Sequence, residues 1–96
     1  MTKSESIMET LKTHLPELRE MGVKDLYVFG SVARGESNPH DVDILVDFEV
    51  IPSLIGFSAI QRKLESLLAA SVDLVTRRGC PDLLYQSIKP DLLHVA

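Results

Sequence analysis

The chain has 96 residues, 45% of them apolar and 25% charged, with a formal net charge of −4. This suits one domain around a single modest core, spanning residues 1–96, with no room for a catalytic domain plus a separate substrate-binding domain. The acidic balance argues against a nucleic-acid polymer as direct partner, because such binders usually carry a basic face, although metal ions could still hold a nucleotide. A lone cysteine, Cys80, rules out an internal disulfide, suits a reducing cytoplasm and reads as a small apolar filler. No stretch reaches the roughly 18 apolar residues of a membrane span, and the polar N-terminus lacks the apolar core of a signal peptide.

In chain order, "SESIMETLKTHLPELREMG" predicts a helix, with Ile7, Met8, Leu11, Leu15 and Leu18 at helical spacing. Ser4 or Ser6 could cap it. Pro16 should kink it or start a second short helix, and Gly22 should stop it. A first strand follows over Val23 to Phe29, ended by Gly30-Ser31. "SVARG" reads as a helical turn that Ser31 could cap and Gly35 closes, and "ESNPH" as loop. The second strand is "DVDILVDF". It alternates Val42, Ile44, Val46 and Phe48 on one face with Asp41, Asp43, Leu45 and Asp47 on the other. Ser53 could cap a helix from Leu54 to about Ala70, with Phe57, Ile60, Leu64, Leu67 and Leu68 facing a core. Val72 to Thr76 is a third strand, and "PDLLYQSI" a short last helix with Pro81 in its first turn. The tail "DLLHVA" shows no clear pattern.

Connection lengths then decide geometry. From Ser31 to His40 there are ten residues, and a parallel crossover needs a dozen or more, so strands one and two should be antiparallel neighbours. Strands two and three are joined through a full helix, the pattern of a parallel unit. The Gly-Ser turn, Asp41, Asp43 and Asp73 should therefore converge at one sheet edge. Asp41 and Asp43, ~6.6 Å apart along one face, could hold one or two magnesium ions with water and phosphate oxygens completing the shells. Asp73 would bind metal or take a proton from an attacking hydroxyl. Gly30 would admit a phosphate close to the backbone, and Ser31 would offer its hydroxyl and N–H groups. Each element alone reads more readily as a turn, a cap or an exposed strand start than as a site. Their convergence carries the functional reading.

"FGSVARGESNPHDVDILVDFE", with the later "SVDLVTRRG", resembles the signature of polymerase-β-type nucleotidyltransferases. In this small size it resembles the minimal nucleotidyltransferases, antitoxin partners in HEPN/MNT toxin–antitoxin modules. The resemblance implies an α+β (α/β) nucleotidyltransferase fold, a small mixed three-stranded sheet flanked by helices. It implies magnesium-dependent transfer of NMP, as AMP from ATP, onto a tyrosine hydroxyl of a partner HEPN toxin. It assigns Gly30 and Ser31, with Arg34, to nucleotide binding, Arg34 either bracing the loop or reaching phosphate, and Asp41, Asp43 and Asp73 to catalysis on two Mg²⁺ ions. His40 stands where the family usually has serine, and reads as a loop-structural residue, with contact to phosphate as the lesser alternative.

An alternative is a catalytically silent antitoxin that neutralises its toxin by binding alone, with Leu92 and Leu93 exposed for the contact. Transfer to a small molecule such as an aminoglycoside is a weaker option, since the short chain offers little to build that pocket. Arg77 and Arg78 should lie away from the aspartates, as a solvated pair or a partner contact. Asp47, ~13 Å along the strand from Asp43, reads as a rim residue. His14, His94, Tyr27 and Tyr85 have no motif context.

Overall fold

The computed structural model describes residues 2–35 and 41–95; the reading of His40 lies outside the described residues. Helix α1 covers Lys3–Glu20, β1 Val23–Phe29, α2 Gly30–Ala33, β2 Asp41–Phe48 and α3 Leu54–Leu68. Then come β3 Ser71–Thr76, α4 Asp82–Ile88, a 3₁₀ turn at Lys89–Asp91, and β4 Leu93–His94. The sheet order is β3-β2-β1-β4, with β1 antiparallel to both β2 and β4, and β2 parallel to β3. Among the described residues the sheet thus has four strands rather than three. The fourth comes from the tail, where only two residues pair with Tyr27 and Val28, too short a run to leave a periodic signal.

Alternation along the strands divides the molecule into two apolar clusters. Leu26, Val28, Val42, Ile44, Val46 and Val72 point to one face, where Ile7, Leu11, Leu15 and Leu18 of α1 and Ile60 and Leu64 of α3 cover them. Phe29 and Leu45 point to the other face and pack with Cys80 and Ile88. A buried Leu or Ile contributes about 1.5–3 kcal/mol, so the first face dominates stability.

That burial explains why α1 runs on through Pro16 rather than dividing there. Leu15 and Leu18 flank the proline, and both are buried. Their packing offsets a defect of about 3 kcal/mol. The cap of α1 is Thr2, not Ser4 or Ser6. Its hydroxyl accepts from the Glu5 N–H at 3.1 Å, while the Glu5 carboxylate reaches back toward the Thr2 N–H. Ser53 caps α3 as expected, accepting from the Gly56 N–H at 3.1 Å.

Strand β3 lies at the sheet edge, and α3 satisfies part of that edge. The Gln61 amide donates to the Val72 carbonyl at 3.0 Å, and the Val72 N–H donates to the Glu65 carboxylate at 3.0 Å. These two bonds blunt an open strand edge and hold the register of the residue preceding Asp73. Leu92 and Leu93 are not the exposed pair expected of a binding tail. Both are half-buried, Leu92 against the second cluster and Leu93 against the first.

Candidate active site

The antiparallel register sets Phe29 opposite Asp43, so the turn that follows Phe29 lies beside the start of β2. The parallel register sets Asp43 beside Asp73 and Asp41 beside Ser71. Neighbouring strands lie ~4.8 Å apart. Three carboxylates from two strands thus meet at one edge of the sheet, next to Gly30-Ser31. Asp41 and Asp73 are exposed, and Asp43 is half-buried between them and the turn.

Asp43 holds its proton more tightly than an ordinary carboxyl. Burial is the largest cause, followed by the negative charges of Asp73 and Asp41 and a hydrogen bond with Asp73. The Arg34 guanidinium opposes the shift. Like charges gathered at a partly dry site disfavour ionisation of one member, and a cation among them would relieve that repulsion.

Gly30 has φ +75°, and a Cβ built on it would overlap the Asp43 carboxylate. Glycine is required twice over: the left-handed backbone disfavours a side chain, and Asp43 occupies the space one would fill. Ser31 is half-buried inside α2. It is not the cap, because Phe29 holds that position without a side-chain bond. Val32 is 2% exposed and pins the turn to the core. Arg34 ends α2, its N–H bonded to the Gly30 carbonyl at 3.0 Å. Its guanidinium meets the Asp91 carboxylate at 3.1 Å. The sequence gives no cue to that contact, since 57 positions separate the two residues and Asp91 lies in the unpatterned tail.

The site offers hard oxygen donors of the kind Mg²⁺ takes, and the carboxylate crowding around Asp43 fits a cation. Among the described residues no three His, Cys, Asp or Glu side chains form a ready-made metal-holding group. Ligand or solvent oxygens would have to complete any shell.

The remaining polar residues are placed elsewhere. Arg77 and Arg78 follow β3 at the end away from the aspartates. Arg77 lies 3.7 Å over the Tyr85 ring. Arg78 and Asp47 line a groove of about 400 Å³ at that far end, with Phe48, Ile51, Leu54 and Phe57. His14 pairs with Glu17. His94 pairs with Asp25 at 2.9 Å and stacks on Tyr27. Cys80 is buried, as a filler should be. Among the described residues, no helix is long and apolar enough to cross a membrane.

Comparison with known proteins places this geometry. Residues 10–93 match the family described as "Nucleotidyltransferase domain". The protein adenylyltransferase MntA of Thermococcus cleftensis is 42% identical over 97 residues, covering 99% of this chain and 98% of that relative. A solved structure assigned as a minimal nucleotidyltransferase superposes with a TM-score of 0.79 at 32% identity, covering 97% of this chain and 95% of the other. A toxin–antitoxin crystal structure with AMP-PNP gives 0.69 at 26% identity, covering 97% of this chain and 72% of the other. The chain therefore belongs to the nucleotidyltransferase domain family, as a minimal nucleotidyltransferase homologous to MntA.

Proposed function

We propose that the chain is an antitoxin that moves AMP from ATP onto a tyrosine hydroxyl of a partner HEPN-type toxin. The observation that carries the reading is the register that sets Asp43 beside Asp73 and against Gly30. Its support from outside the chain is the near-full-length similarity to a protein adenylyltransferase and the fold shared with a toxin–antitoxin complex holding an ATP analogue.

Asp41 and Asp43, with Asp73, would hold two Mg²⁺ ions. When bound, these ions would neutralise the triphosphate and the charge that develops on it during transfer. The chain's own residues do the rest. Gly30, having no Cβ, lets the Asp43 carboxylate lie against the turn that faces the phosphates. Ser31 and Arg34 bind phosphate oxygens. Asp73, exposed like Asp41, accepts the proton of the attacking hydroxyl as its oxygen bonds the α-phosphorus and pyrophosphate leaves. The exposure of Asp73 leaves the acceptor hydroxyl a path to it from solvent.

The test is incubation with ATP labelled at the α-phosphate, Mg²⁺ and the product of the neighbouring gene. Label should pass to that protein with wild type and not with an Asp41→Ala/Asp43→Ala double variant. Equal transfer by both, or none by either, would end the reading.

A second reading keeps the antitoxin role without catalysis. It draws on the exposed apolar run Val50, Ile51, Leu54 and Ile55 beside the far groove, which offers a contact surface independent of the aspartates. Under it, the double aspartate variant would still neutralise the toxin fully in cells.

A further inference from the structure

Arg34 sits among negative charges that could capture it. Asp41, Asp43 and Asp73 converge next to the turn that carries it, and its charge is felt at Asp43. A free guanidinium at that position would be drawn onto the carboxylates, because Coulomb attraction between unit charges at ~4 Å reaches several kcal/mol in partly dry surroundings. It would then occupy the space a cation needs and turn away from an incoming phosphate. One of its partners is a fourth carboxylate, that of Asp91, at 3.1 Å.

Asp91 is built to hold its place. It closes a 3₁₀ turn whose Leu92 N–H bonds the Lys89 carbonyl at 3.3 Å. Ile88, just before the turn, is buried in the second cluster, and Leu92, just after Asp91, packs on that cluster. Leu93 pairs with Val28, and the Val95 N–H bonds the Leu26 carbonyl at 2.9 Å. The carboxylate is therefore fixed from both sides to the strand that delivers Gly30. The Arg34 side chain is 50% exposed, and exposed pairs of this kind contribute little to stability. What such a pair supplies is a direction for the guanidinium.

We propose that Asp91 is a positioning residue for Arg34, holding its guanidinium off the three aspartates and toward the nucleotide phosphates. The proposal rests on the assignment of Arg34 to phosphate binding. It gives the C-terminal tail a task at the site that the motif alone does not suggest.

The test is ATP binding in the presence of Mg²⁺, by calorimetry, for wild type, Asp91→Asn, Asp91→Glu, Arg34→Gln and the Arg34→Gln/Asp91→Asn double variant. Asp91→Asn should weaken binding by about threefold to tenfold. Asp91→Glu should recover most of the loss, and Asp91→Asn should add nothing in the Arg34→Gln background. Melting points should stay within a few degrees of wild type. Unchanged binding in Asp91→Asn, an equal loss in the Arg34→Gln background, or a melting point lowered by more than about 10 °C would overturn the proposal. If Arg34→Gln weakens binding and Asp91→Asn does not, the phosphate-binding role of Arg34 stands and the proposal alone fails. If wild type binds no ATP, the reading of the site falls, and the proposal with it.

Discussion

Gly30 and Asp43 share one small volume: a Cβ on the glycine would stand where the aspartate carboxylate is. The turn and the strand are locked together because one of them has no side chain. Gly30→Ala must therefore push Asp43 aside and also strain a backbone at φ +75°. It should lower stability by about 1–3 kcal/mol. Nucleotide transfer should fall by about 100-fold, since displacing a reacting group by ~1 Å can have that effect. Denaturant melts and transfer assays on the one variant check both.

Asp43 titrates above the ordinary carboxyl value of 3.8 because burial, Asp73 and Asp41 all disfavour its charge. Between 3.8 and the raised value the native state binds more protons than the unfolded chain, so stability falls as pH rises through that window and stays reduced above it. Asp43→Asn removes the repulsion. In the absence of divalent cations it should raise the melting temperature by about 2–5 °C at pH 7, with the advantage shrinking as pH falls through the window. Calorimetry at pH 7 and near pH 4 reads the difference. An advantage that grows on acidification would contradict the assigned cause.

Asp73 has two possible tasks, holding a cation and accepting a proton, and Asp73→Asn impairs both without changing shape. Transfer should drop by about 10²–10⁴-fold while the melting temperature holds or rises. A pre-steady-state transfer assay measures the first and thermal unfolding the second.

The edge of β3 is secured by α3 through Glu65 and Gln61. Glu65→Ala leaves the half-buried Val72 N–H without its acceptor and should lower stability by about 1–2 kcal/mol. Amide exchange at Val72 should accelerate, and transfer should weaken because Asp73 is the next residue. Glu65→Gln, which keeps an acceptor oxygen, should behave close to wild type.

Much of this arrangement is legible in the sequence because it follows from lengths and alternation. The ten residues from Ser31 to His40 are too few for a parallel crossover, and a full helix before Val72 permits one. Those two facts predict that the Gly-Ser turn, Asp41, Asp43 and Asp73 meet, and the strand registers bring them together. The strict alternation of β2 likewise separates Val42, Ile44 and Val46 from Leu45, which lie in different clusters. What the sequence hides is tertiary. Strand β4 forms because β1 has an open edge, not because Leu93-His94 has a strand pattern. The Arg34–Asp91 pair depends on the tail returning to the first turn of the site. The half-burial of Leu92 and Leu93 follows from the same return, and the exposed large apolar side chains stand instead at Val50, Ile51, Leu54 and Ile55 and at Leu83 and Leu84 of α4. Thr2 rather than Ser4 or Ser6 caps α1 in a reciprocal pair with Glu5, but Ser6 and Glu9 have the same spacing, so the pattern alone does not choose between them.

The most direct test uses a paramagnetic ion as reporter. Mn²⁺ added with ATP to isotopically labelled protein should broaden the amide signals of residues 29–31, 41–43 and 71–73 first. An Asp43→Asn/Asp73→Asn variant should lose the effect at the same concentrations. Broadening centred on any other part of the chain, or unchanged in that variant, would contradict a cation cradle at the joined starts of β2 and β3.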